Sequence, residues 1–309
     1  MDWARAKTIL IIVFIGVNMI LSYFLLVTSN GSVFTVPQDR IDITMEYLKK
    51  HNVNIKAELP RKITNIRPVV VDFKVFKDTE LSVFFPQRSY INRINEEISY
   101  LLVQGDISIR VTNDKLMQYD NPGIAAVEGD KLELCYTVIN SFIQKLGISP
   151  KECYIKSYTN EDGYVRVKYG QLYKGYKLSD SFIDITASTE GIRKASVIWF
   201  GSVTPVDSSS SVVTHLSALV ALHEYISTRP REVADTAQSE DTQGMEAAIP
   251  QNDTSLTVYS IELGYYQRVN GLDPILEGIA TPVWQIRTDT HEIYVDAYGE
   301  LVVKYAPLE

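Results

Sequence analysis

Four histidines, two cysteines and two close pairs of carboxylates are the side chains in this 309-residue chain that most invite a chemical role. His215 and His223 fall eight residues apart on one predicted helix, about 12 Å along its axis, too far to share a metal ion unaided. His223-Glu224 and His291-Glu292 read as solvated surface pairs, and the fourth histidine is His51. Asp39/Asp42 and Asp289/Glu292 are paired carboxylates. Such pairs divide acid and base roles only where their surroundings split the two pKa values, and no apolar pocket is legible beside either. The chain has no G-x-S-x-G, no H-E-x-x-H, no phosphate-cradling glycine loop and no dinucleotide fingerprint. No catalytic residue, cofactor or metal ligand is therefore assigned. Cys135 is expected on a helix and Cys153 at the start of the next strand. A disulfide and two buried thiols are both open readings. The nineteen tyrosines fall mainly in strands, where an amphipathic ring suits a half-buried face.

The elements that would carry these residues begin with an apolar run. From Thr8 to Asn30 there is no charge, and Ile9 to Val27 is almost wholly apolar. About 20 such residues span a hydrocarbon core. The run is longer than a secretory signal core and lacks a small-x-small exit. Arg5 and Lys7 precede it and the first cation after it is Arg40. The positive-inside rule then gives a cytoplasmic tip (1–7), a transmembrane helix (8–28) and a C-terminal region outside the cell membrane. On the span, Asn18 and Ser22 stand four residues apart with Gly16 nearby, a combination that favours helix association in lipid. Gly16, Asn18 and Ser22 are the expected partner-binding face.

Beyond residue 30, 28 basic residues face 37 acidic ones, and the whole chain carries −8. No basic stripe is available to neutralise phosphates, which argues against nucleic acid as a partner.

The outer region reads as α+β, in repeated units of a helix followed by an antiparallel meander. Residues 31–126 form a first unit, with a helix over 39–50, a strand at Val69–Phe73, a helix over Tyr90–Val103 and a strand from Ile107 to Val111. Residues 127–206 form a second. Its helix, Leu132–Leu146, is closed by Gly147. Strands follow at Cys153–Thr159, Val165–Tyr173, Tyr176–Ser188 and Ile192–Val203, with Asp162-Gly163 and Glu190-Gly191 as hairpin signals. Residues 207–309 form a third, with a helix over Val212–Ser227 and strands at Ser255–Val269, Ile279–Thr288, His291–Ala297 and Leu301–Tyr305. Segment 230–254 holds six acidic residues and one basic, so it is expected to be a solvated, flexible loop. Tyr169-x-Gln171-x-x-x-Gly175 recurs as Tyr265-x-Gln267-x-x-x-Gly271, 96 residues on, which favours duplication of the last two units.

Several stretches are similar to the YycI family, membrane-anchored regulators of the YycG (WalK) sensor kinase system. They are Met1-Asp2-Trp3-Ala4-Arg5-Ala6-Lys7-Thr8-Ile9, Asn95–Gly105, Gly264-Tyr265-Tyr266-Gln267, Thr281-Pro282-Val283-Trp284-Gln285-Ile286 and Tyr294-Val295-Asp296-Ala297-Tyr298-Gly299. The last also resembles the strand end of PepSY domains. The resemblance implies a non-enzymatic protein that modulates a sensor histidine kinase with a YycH-like anchored partner in cell-wall homeostasis. A homodimer is a further expectation. The alternative is a PepSY-like extracytoplasmic module that binds or inhibits a protease.

Overall fold

The computed structural model describes residues 7, 11, 13–22, 33–85, 90–92, 98–129, 131–207, 210–228, 256–267 and 275–308. The fold is α+β and mostly sheet. Residues 13–22 are helical. Among the described residues no helix is long and apolar enough to cross a membrane; both ends of the expected span, and segment 230–254, lie outside the described residues.

Asp-Gly and Lys-Gly pairs set one half of the fold. Asp162-Gly163 and Lys174-Gly175 all adopt positive φ, which matches the twist of a tight hairpin. They fold β9 (Cys153–Glu161), β10 (Tyr164–Tyr173) and β11 (Tyr176–Ser188) back on one another, and β12 (Gly191–Ile198) completes the meander. Beside β12 lies β8 (Leu116–Asp120), then β7 (Ile107–Thr112), β6 (Ile98–Gln104) and β5 (Tyr90–Asn92), all antiparallel. The helix α3 (Leu132–Lys145) crosses β10 to β12 and buries Cys135, Ile139, Phe142 and Ile143 against Val165, Val167, Ile183 and Ile185. Gly147, at φ +68°, ends that helix.

The other half repeats the order. The helix α4 (His215–Thr228) precedes β14 (Leu256–Tyr266), β15 (Glu277–Thr288), β16 (His291–Asp296) and β17 (Val302–Pro307), an antiparallel meander. Its Leu216, Leu219 and Leu222 pack with Trp284, Ile286 and Ile293. The helix α1 (Gln38–Lys50) lies against α4, and β2 (Val53–Ile55) runs parallel to β14. At the N-terminal edge β1 (Val33–Thr35) pairs with β3 (Lys62–Thr64). The short helix α2 (Asp78–Leu81) follows β4 (Val69–Phe73).

Strand alternation joins the halves. Ile198 and Phe200 point into the core around Trp284, while Trp199 between them is buried in the core around α3. Successive side chains of a strand face opposite sides, so this crossing serves both cores. The run expected as one strand, Ile192–Val203, therefore splits. Its second part, β13 (Phe200–Pro205), leaves β12 to pair with β4, which pairs in turn with the start of β15.

The helix expected over Tyr90–Val103 is not found. The apolar spacing fits a helix, but Ile98–Val103 is almost continuously apolar and rich in residues that suit a pleated surface. Gly105, at φ +59°, and Asp106 close a hairpin that pairs it with β7. Strands β5 and β6 result, with Leu102 1% exposed.

Candidate functional site

A bulge in β11 builds the site. Gln171, Leu172 and Tyr173 of β10 pair with Leu178, Lys177 and Tyr176, and pairing resumes only at Gly170 with Phe182. Ser179, Asp180 and Ser181 are thus extruded with nothing opposite them. Asp180 sits at φ +68°, a left-handed conformation that costs a non-glycine residue on the order of 1 kcal/mol. Ser181 Oγ donates to Leu178 O (3.3 Å), and Gln285 Nε2 donates to Ser179 Oγ (3.0 Å), which ties the bulge to β15. Bulges re-aim side chains, and this one turns Asp180 toward the seam between the halves.

Two adjoining cavities of about 380 and 420 Å³ run along that seam. Tyr154, Lys156 and Lys304 line both. The Tyr154 ring lies on the backbone of Gly170, where a Cβ would meet ring carbons at 2.5 Å. Tyr294 forms the opposite wall, and its ring centroid is 5.3 Å from that of Tyr266. Lys304 Nζ stands over both rings, at 5.5 Å from Tyr266 and 5.2 Å from Tyr294.

Three ion pairs cross the seam: Lys304 to Asp180 at 2.9 Å, Lys156 to Glu292 at 3.3 Å and Lys177 to Glu262 at 2.6 Å. Each joins β9 or β11 to β14, β16 or β17. Lys168 and Arg287 also line the cleft. Burial pushes the Asp180 carboxyl above its ordinary range, by more than Lys304 pulls it down. Burial also raises the phenols of Tyr154 and Tyr294, with Glu292 adding to both, so both stay neutral. The cleft can hold an extended, anionic ligand between aromatic walls. Beside it, β9 pairs with β10 alone among the described strands, and most of its residues are exposed, so it offers an edge for strand addition.

The residues singled out in the sequence lie elsewhere. Gly16, Asn18 and Ser22 all fall on the helical stretch 13–22. At 100° per residue Asn18 and Ser22 share a side, while Gly16 is about 200° from Asn18 on the opposite one. Gly16 is therefore not part of that face. Asn18 Nδ2 donates to Phe14 O at 2.8 Å.

His291 is not a solvated surface residue. It is 6% exposed, its Nδ1 lies 2.7 Å from Thr290 Oγ1, and its ring is 4.3 Å from that of Tyr305. His215 is fully buried against Trp284, and neither ring nitrogen has a hydrogen-bond partner among the described residues. His223 packs on His51 rather than standing as a surface pair with Glu224. Asp42 accepts from Gln38 and Glu292 pairs with Lys156, so neither carboxylate pair acts as a unit. Cys135 and Cys153 are not joined by a disulfide. Burial, with Glu152, pushes the Cys153 thiol up to about 12, which makes it a poor nucleophile at neutral pH. Among the described residues no group of three or more His, Cys, Asp or Glu is placed to hold a metal ion.

The proposed repeat motif maps onto unequal strands. Tyr169 and Gln171 lie on the second strand of one meander and Tyr265 on the first strand of the other. Gln171 is buried and bonds both backbone groups of Phe200, at 2.9 and 3.1 Å. Gly271 lies outside the described residues.

No model of a known protein family matches the chain, and no curated protein matches it significantly. Among solved structures it is similar to an uncharacterized protein from Eubacterium rectale, at 12% identity and a TM-score of 0.46, over 83% of this chain and 87% of that one. It is also similar to the C-terminal domain of YpeB from Bacillus megaterium, at 8% identity and a TM-score of 0.43, over 76% of this chain and 99% of that one. The resemblance to YycI proteins rests on the quoted stretches alone.

Proposed function

We propose that this protein is a non-enzymatic, membrane-anchored regulator that modulates a sensor histidine kinase, with a YycH-like partner, in cell-wall homeostasis. Its anchor is the uncharged run Thr8–Asn30, oriented by Arg5 and Lys7 with the tip in the cytoplasm and the α+β region outside. The observation that carries the reading is the cleft, where two α+β halves are clasped by three ion pairs around a bulge that aims Asp180 between them. Such a clasp can open or close, and a ligand biases a two-state element by its difference in affinity for the two states. The lysines and the arginine that line the cleft fit an acidic, extended segment of a partner protein.

The test is capture from membranes by the full-length chain. A sensor kinase and a second anchored protein should be retained. Reversing Lys168 and Arg287 to Glu should reduce capture, and so should replacing residues 8–28 by an unrelated transmembrane helix. The protease-binding alternative predicts no effect of the second change. A module that only binds or inhibits a protease should work with any anchor.

A further inference from the structure

We infer that His51 and His223 form a divalent metal site that bridges α1 and α4. The two rings meet across the seam between these helices, with centroids 4.8 Å apart and planes 53° apart. Two imidazoles bound through one nitrogen each to a tetrahedral ion have centroids roughly 5 Å apart, given metal–nitrogen distances near 2 Å.

The other nitrogen of each ring is already oriented by its own helix. His51 Nδ1 lies 2.8 Å from Tyr47 O, and since a carbonyl only accepts, Nδ1 carries the proton. His223 Nδ1 lies 3.5 Å from Ser227 Oγ. Both contacts leave Nε2 as the nitrogen available to a shared ion. A backbone carbonyl holding the far N–H is the usual support of a metal-ligating histidine, because it fixes tautomer and ring direction. Tyr47 packs on both rings, at 4.4 Å from His51 and 5.9 Å from His223, and limits their rotation. His51 is exposed and His223 half-buried, so an ion can enter from solvent.

The chemistry selects a borderline divalent cation such as Zn2+, for which imidazole is a preferred ligand. Two protein nitrogens hold it, and water completes the shell. The site lies apart from the cleft and depends on neither the kinase reading nor the cleft ligand. Its consequence is mechanical, for the ion ties α1 to the helix that covers the second meander.

The experiment is calorimetric titration of the full-length, untagged chain with Zn2+, with His51→Gln, His223→Gln and the double variant alongside. The expected result is one ion per chain, a raised melting temperature with Zn2+, and affinity lowered roughly tenfold or more by either single change. Melting curves in chelator should superimpose for all four proteins, which shows that the variants fold. Zn2+ should also move the Hε1 proton resonances of His51 and His223 with one midpoint. Absence of binding by the natural chain, or binding that persists in the double variant, overturns the assignment.

Discussion

Lys304 Nζ donates to Asp180 Oδ1 at 2.9 Å across the cleft, while Asp180 Oδ2 is buried without a hydrogen-bond partner among the described residues. The two members of this pair should respond unequally to substitution. Asp180→Asn removes a charge that burial disfavours, and asparagine tolerates the left-handed backbone, so thermal stability at neutral pH should be unchanged or higher. Lys304→Met leaves the carboxylate without its counter-charge and should cost roughly 1–3 kcal/mol. Adding Asp180→Asn to Lys304→Met should recover most of that loss. The linkage sign agrees. A carboxyl raised above its ordinary 3.8 holds its proton more tightly in the folded chain, so its contribution grows more favourable as pH falls through the raised value and levels off below 3.8. Equal destabilisation by both single changes would contradict this account.

Gly170 should resist even alanine. Its φ lies outside the left-handed range, so the nearest obstacle is the Tyr154 ring at 2.5 Å from a built Cβ. Gly170→Ala must push that ring into the cleft, at a cost of roughly 1–3 kcal/mol. Tyr154→Ala removes the obstacle. The double variant should therefore lose much less than the sum of the singles in urea titrations, and strict additivity would show that the ring is not the constraint.

The helices α1, α3 and α4 were legible because their apolar residues recur at helical spacing, and two of the hairpins were marked by Asp162-Gly163 and Glu190-Gly191. Residues 98–103 were not, since a continuous apolar run fits either state and only pairing with β7 decides it. The β13–β4–β15 pairing joins strands far apart in sequence, which local pattern cannot report. His51 and His223 lie far apart in sequence and meet only because α1 lies on α4. The bulge did leave a trace. Ser179-Asp180-Ser181, three turn-forming residues inside an apolar alternation, break the period expected of a continuous Tyr176–Ser188 strand.

His215 makes the fold sensitive to mild acid. Burial lowers its pKa from 6.5 to about 4. The unfolded chain therefore takes up a proton below pH 6.5 that the folded chain refuses until about pH 4. The stability linked to this ring is complete above 6.5, falls between 6.5 and 4, and is flat below. Its full size is on the order of 3 kcal/mol at about 1.4 kcal/mol per unit. His215→Phe keeps an aromatic ring against Trp284 and cannot titrate. Chemical denaturation across this pH range should show the natural chain losing stability relative to the variant as pH falls from 6.5 to about 4. Parallel curves would mean that His215 is not held neutral in the folded chain.

The transmembrane face tests whether coupling runs through the anchor. Asn18→Leu makes the expected span more apolar, so insertion should be unchanged or slightly better. One amide N–H of Asn18 is already given to Phe14 O, which leaves its second N–H and its carbonyl oxygen for a neighbouring helix. Removing such a contact weakens association by roughly 0.5–2 kcal/mol, about a twofold to thirtyfold change. Ser22→Leu lies on the same side of the helix and should act in the same direction. Ile20→Ala lies about 200° from Asn18 and should do less. Gly16 shares that opposite side, so Gly16→Leu should resemble Ile20→Ala rather than Asn18→Leu. The readouts are a two-hybrid assay with the anchor alone and a kinase-dependent reporter with the full chain. If Asn18→Leu is silent in both while Lys168→Glu with Arg287→Glu abolishes the reporter response, the signal passes through the cleft and the helix serves only as a tether.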